Sequence, residues 1–197
     1  MGRDKILKKI KKSARLMVAF GMMFIIGGIA FVIGGFIETV LFLFALLFLG
    51  IGITLFVFGV KQLADPSCAN AMKNNPEILK MADEVFGYTK YEDDFLIISD
   101  NVIANKNNIY QMAYIDEVYQ IYLNKTSVNF INAGSEIVLE TKNPLNSLRI
   151  NVYAKSKKKK EKIYETLSLY CKNAYFGYTA QGREYLEQKR KERLPLE

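Results

Sequence analysis

Two apolar runs, Leu16 to Ile37 and Leu41 to Val60, follow one another almost directly, and Glu38 is the one charged residue between Leu16 and Val60. As a helix rising 1.5 Å per residue, each run spans about 30 Å, the thickness of a bilayer's hydrocarbon core. In the second run fifteen of twenty residues are Leu, Ile, Phe or Val. At roughly −0.3 to −0.6 kcal/mol each, transfer into lipid gains about 5–9 kcal/mol before glycine and threonine are discounted. The sequence predicts a transmembrane helical hairpin over 16–60, with spans 16–37 and 41–60. A secretory signal would be shorter, with no second span at once behind it. The N-myristoylation pattern fails at Ile6, where Ser or Thr is required.

Charge orients the hairpin. Residues 1–15 carry seven basic side chains and one acid, Asp4; from Lys61 onward, 20 basic and 18 acidic residues nearly cancel. The connector near Gly34–Thr39 has no basic residue. Basic flanks on one side predict a multi-pass cell-membrane protein with both termini cytoplasmic. The net charge of +7 is largely a property of the N-terminal segment, which argues against a nucleic-acid partner.

Small residues recur every seven positions on both runs. Ala14, Gly21, Gly28 and Gly35 form one series and Ala45, Gly52 and Gly59 the other. A seven-residue period holds such positions on one seam of a left-handed pair. The two series are expected to pack against each other, or else to pair between copies in a homo-oligomer. Ahead of the first span, Ile6, Leu7 and Ile10 alternate with Lys5, Lys8, Lys9, Lys11, Lys12 and Arg15 at helical spacing. Residues 1–15 thus read as a basic amphipathic helix on the anionic inner leaflet, or as charges that only set topology.

Residues 61–89 read as a helical connector, with breaks at Asp65-Pro66 and Asn75-Pro76. From Phe95 the periodicity becomes that of strands. Seven are expected: Phe95–Ile98, Val102–Asn105, Ile109–Tyr114, one around Val118–Leu123, Val128–Ile131, Glu136–Thr141 and Leu148–Val152. Ile163, Leu167, Tyr170 and Ala174 then share one helical face, with the lysine run ahead of them expected to start in the preceding loop. The tail, 177–197, reads as a charged, solvated helix.

The stretch Phe95-Leu96-Ile97-Ile98-Ser99-Asp100-Asn101-Val102-Ile103-Ala104 resembles the first hairpin of bacterial pleckstrin-homology-like (PH-like) domains. Tyr114-Ile115-Asp116-Glu117-Val118 resembles their following turn. Asn173-Ala174-Tyr175-Phe176-Gly177-Tyr178-Thr179 is similar to a tail of two-span bacterial membrane proteins carrying such a domain. Over 90–176 the resemblance implies an antiparallel split barrel of about seven strands, capped by a C-terminal helix and serving as a binding or scaffolding module. It does not imply phosphoinositide binding, since Asp100-Asn101 lacks the basic pattern that would require.

Other features were weighed as sites. Lys155, Lys157, Lys158, Lys159, Lys160 and Lys162 form either a solvated loop or a contact for anionic lipid or an acidic partner. Tyr110, Tyr114, Tyr119 and Tyr122 suit a half-buried sheet face or an aromatic groove. Phe-Gly-Tyr-Thr occurs at 86–89 and 176–179. The acids at 92–94 and at Asp116-Glu117 suit solvated turns better than metal or acid–base sites. Cys68 and Cys171 form no CxxC pair, and histidine, the commonest general base, is missing from the sequence. The expectation is a non-enzymatic, membrane-anchored cytoplasmic module without cofactor or metal, recruiting or regulating a protein partner. The alternative is an accessory or immunity-type subunit acting through its hairpin.

Overall fold

A computed structural model describes residues 2–35, 39–128, 131–153 and 155–192. The chain forms two compact units, Asp4–Lys73 and, with Met1–Arg3, Asn74–Glu197.

The first unit is built on two long helices, α1 (Gly2–Gly35) and α2 (Thr39–Ala64). Both are long and apolar enough to cross a membrane. The basic segment is not a separate helix, as the sequence reading had it; it is the first turns of α1. No Gly or Pro lies between Arg3 and Phe20 to interrupt the backbone, so the helix runs straight on. Ile6, Ile10 and Ala14 are buried at four-residue intervals, while the lysines beside them are exposed.

Seven-residue spacing brings the small residues of α1 and α2 face to face. A Cβ placed on Gly21 would stand 2.6 Å from the Phe56 amide nitrogen, and one on Gly52 would stand 2.8 Å from that of Ile25. On Gly59 it would lie 2.9 Å from the Ala14 carbonyl oxygen, and on Gly28, 2.7 Å from Leu49 Cγ. Ala14 and Ala45 are fully buried along the same line. Only glycine permits backbones this close. The packing of Gly35 and the connector residues 36–38 lie outside the described residues. Beside the seam, Phe48 packs on Phe24 and Phe31, with ring centroids 5.2 Å apart in both pairs. Outward-facing Ile26, Ile33 and Leu43 remain about two-thirds exposed, at 65%, 67% and 65%.

After α2 come a short 3₁₀ turn (Pro66–Cys68), started by the Asp65 side chain accepting from Ser67 N–H, and the five-residue α3 (Asn70–Asn74). Helix α4 (Ile78–Gly87) belongs to the second unit, so the expected connector is divided between the two. That unit holds two four-stranded sheets. One is a meander of β1 (Tyr91–Glu92), β2 (Leu96–Ile98), β3 (Val102–Asn105) and β4 (Asn108–Tyr114). The other, ordered β7-β6-β5-β8, contains β5 (Val118–Val128), β6 (Ile131–Thr141), β7 (Leu148–Asn151) and β8 (Tyr175–Phe176).

Register explains the burial. In the second sheet Ile121 pairs with Leu139 and Leu139 with Leu148, while Leu123 pairs with Ile137 and Ile137 with Ile150. These two rows form one apolar face, since alternate strand residues point the same way. In the first sheet the row Ile98–Ile103–Ala113 joins the same core. The intervening row Ile97–Ala104–Met112 is equally buried, because α4 packs across β2, β3 and β4. The apolar run Phe95–Ile98 is thus covered on both faces.

Three expectations change. The β unit is not a closed barrel: the sheets are separate, and the 3₁₀ turn Ile115–Glu117 carries the chain between them. Ile115 N–H donates back to Asn101 O at 2.8 Å, ending β4 on its own sheet rather than extending it into β5. Strands expected at 118–123, 128–131 and 136–141 are two strands of eleven residues: Gly134 pairs with Thr126, and the ladder continues past it through a register shift to Ser127 and Asn132; Asn129 and Phe130 lie outside the described residues. Finally, β8 runs parallel to β5, two residues long and without an alternating pattern to announce it.

Helix α5 (Lys157–Tyr170) packs Ile163 and Leu167 into the core. The lysine run forms its first turn rather than a loop, because Ser156 caps the helix by accepting from Lys159 N–H, and Lys157 pairs with Glu161 one turn on. Ala174 lies past the helix end, still against the core. The tail forms the expected charged helix, largely exposed, but one face of it docks. In α6 (Ala180–Lys191) Leu186 is buried, and Arg190 bonds to Glu140 and to the Thr141 carbonyl. Buried Gln120 donates to Gly177 O, and Gly177 N–H donates to Ile121 O, fastening this end to β5.

The seam yields a paired prediction. Gly52→Ala should destabilise the hairpin by about 1–3 kcal/mol through overpacking. Gly50→Ala, two residues away with nothing within 4 Å of its Cβ position, should be neutral or slightly stabilising. Thermal unfolding in detergent distinguishes them, and equal effects would refute the seam.

Candidate functional site

A concavity of about 790 Å³ in the β unit opens between α4, the β2–β3 turn, the 3₁₀ turn after β4 and the end of α5. A reversal of the first sheet, the link between the sheets and two helix ends meet there, which leaves turn side chains around an open space. Five carboxylates line it (Glu77, Glu84, Asp100, Asp116 and Glu117), against two lysines, Lys80 and Lys172. Its field is therefore negative.

Three of these acids hold the walls together. Glu84 Oε1 accepts from Ser99 Oγ and from Asn101 N–H, each at 3.2 Å, fixing the β2–β3 turn to α4. Asp100 pairs with Lys90. Tyr114 O–H donates to Glu77 Oε2 at 2.7 Å. Burial, and then Glu77, push the Tyr114 phenol up to about 12, so it stays a neutral donor through the physiological range. Asp116 faces solvent.

Behind the cleft, burial pushes the Cys171 thiol up to about 12, and both cysteines are free. Among the described residues, no group of three or more metal-ligating side chains comes together. The arrangement can present fixed negative charge and a tyrosine hydroxyl to a cationic group.

The basic residues singled out in the sequence fall in two places. Lys5, Lys8, Lys9, Lys11, Lys12 and Arg15 line α1, all exposed. Lys157, Lys158, Lys159 and Lys160 begin α5, where Lys159 also approaches Asp94 at 3.7 Å. The four tyrosines do not form one cluster. Tyr114 lines the cleft, Tyr119 stacks on Tyr185 at 6.0 Å, and Tyr122 packs on Tyr178 at 4.9 Å, with the Arg183 guanidinium over the Tyr178 ring. Tyr185 also meets Tyr175 at 5.2 Å, completing an aromatic rim around β8 and α6. The two Phe-Gly-Tyr-Thr copies have different backbones: the first ends α4, whereas Gly177 in the second takes a φ of 104°.

Of the cleft acids, the sequence marks Asp100, Asp116 and Glu117 as turn residues and gives no sign of Glu77 and Glu84 or of the convergence of all five. Glu77 and Glu84 stand two helical turns apart at the cap and within α4, whereas Asp100 comes from the β2–β3 turn and Asp116 and Glu117 from the 3₁₀ turn, and no spacing rule links these three segments. Comparisons with protein-family models, with curated proteins and with solved structures give no match, so the reading of this site rests on its own geometry.

Two measurements follow. The difference in absorbance near 295 nm between the wild type and Tyr114→Phe should reveal one tyrosine titrating near pH 12. Folding favours its neutral form, so the stability it contributes is complete below about pH 10 and lost as pH rises through about 12. Glu77→Gln should move that titration down; an unchanged curve would assign the whole shift to burial. Separately, a thiol reagent should label Cys171 only after unfolding, and rapid labelling in the native state would contradict its burial.

Proposed function

We propose that the chain is a membrane-tethered, non-enzymatic binding module: α1 and α2 cross the bilayer, and the β unit, facing the cytoplasm, docks a protein partner. The observation that carries the first part is the exterior of the hairpin. Ile26, Ile33, Leu43, Leu46 and Phe58 are each more than half exposed, a continuous apolar surface that water would not tolerate. The glycine seam is already occupied within one chain, leaving this exterior for lipid.

The docking role is supported by the acidic cleft, whose net charge favours a cationic segment of a partner. A PH-like relationship is supported by element order: a four-stranded meander, three further antiparallel strands, then a helix whose Ile163 and Leu167 cover the core between the sheets. The non-enzymatic reading draws on a sequence without histidine.

Three variants test it in cells by crosslinking to neighbouring proteins. Replacing residues 1–64 with an unrelated two-span anchor should preserve the crosslinked partner. Glu77→Lys combined with Asp116→Lys should abolish it. The opposite pattern, with loss on anchor exchange and indifference to the cleft, would move the function to the hairpin. The chain should also remain with membranes through alkaline extraction, and release into buffer would overturn the bilayer assignment.

A further inference from the structure

We propose that the face of α1 carrying Lys8, Lys11, Lys12 and Arg15 binds the phosphate headgroup of an anionic phospholipid. The inference rests on the bilayer reading above, and names the lipid class and the residues that hold it.

These four residues stand at i, i+3, i+4 and i+7, one face of a helix. All four are exposed, and none takes part in an ion pair among the described residues. With Leu7 and Asp4 they line a groove of about 620 Å³.

Depth follows from the continuity of α1. At 1.5 Å per residue, Arg15 stands about 1.5 Å beyond Leu16, and Lys12 and Lys11 about 6–8 Å beyond it. The polar layer on each side of a bilayer is about 5–8 Å thick. These three therefore fall at headgroup level, and Lys8 closes the outer side. Helical side chains lean toward the N-terminus, so Arg15 and Lys12 reach out of the hydrocarbon into that layer. Asp4 lies at the far end of the groove and discourages an anion there.

Below the stripe, the same face continues as Met22, Ile26, Ile29 and Ile33, exposed by 50%, 65%, 51% and 67%. A charged groove thus opens directly onto an apolar track, which suits a phosphate attached to acyl chains. Lys5, about 16 Å beyond Leu16, and Lys9, turned roughly 110° from the middle of the stripe, fall outside the site.

The test uses the full chain in neutral detergent, offered equal amounts of phosphatidylglycerol and phosphatidylcholine and read by native mass spectrometry. Phosphatidylglycerol is expected to be retained about tenfold over phosphatidylcholine. Joint replacement Lys11→Gln, Lys12→Gln and Arg15→Gln should lower its retention about tenfold, while Lys5→Gln with Lys9→Gln leaves it unchanged. Should the triple variant elute as misfolded material, Lys12→Gln alone is expected to lose about two- to threefold.

Equal retention of the two lipids, or a Lys11, Lys12 and Arg15 triple variant that binds like the wild type, overturns the site. Displacement by millimolar inorganic phosphate would mark a free-anion site and overturn the lipid assignment. A chain that inserts into bilayers yet shows no lipid preference defeats this inference alone. A chain soluble without detergent defeats the bilayer reading and the site with it.

Discussion

The backbones of α1 and α2 meet at Gly21 and Gly52, closer than any side chain would allow. Dispersion between apolar side chains gains little over the same side chains in lipid, so tight backbone contact has to supply what holds such a hairpin. The seven-residue repeat performs that task over three levels, from Ala14 with Gly59, through Gly21 with Gly52, to Gly28 with Leu49. Because the small residues are spent inward, the large apolar ones are left outside. The same arrangement that closes the pair thereby leaves a large apolar exterior on helices long enough to cross a membrane.

The β unit follows a different rule. Its stability comes from burying rows of Ile, Leu and Val between two sheets, with α4 covering the outer face of one and α5 closing the core. Polar groups enter where strands end, and there they are tied off. Glu84 serves the β2–β3 turn, Asn143 accepts from Leu145 N–H before β7, and Gln120 secures the crossing to β8. The acidic cleft is a by-product of this finishing, since several turns end at one place and most use carboxylates. Charge tied into the architecture and charge left facing solvent are therefore adjacent, with Asp116 the clearest member of the second kind.

Much of the fold was legible in the sequence where one element determines its own environment. Apolar length announced α1 and α2, and strict alternation in Leu148–Asn151 announced β7, whose burial alternates in the same way. Reading failed where a neighbour sets the outcome. Gly134 looked like a strand end, but the ladder absorbs it, pairing it with Thr126 and shifting register just beyond. The lysine run looked unfit for a helix start, yet the Ser156 cap and solvated side chains accommodate it. The tail looked too charged to pack, but one leucine and one arginine suffice to dock it.

By itself, then, the amino-acid order determined two long apolar helices and the inward seam between them, because hydrophobic length and helical period are local properties. Only tertiary structure decided that the sheets stay separate, that Phe95–Ile98 is buried on both sides, and that five carboxylates from three segments share one cleft. Those outcomes depend on which surfaces meet across the chain, and meetings of that kind leave no spacing in the sequence from which to read them.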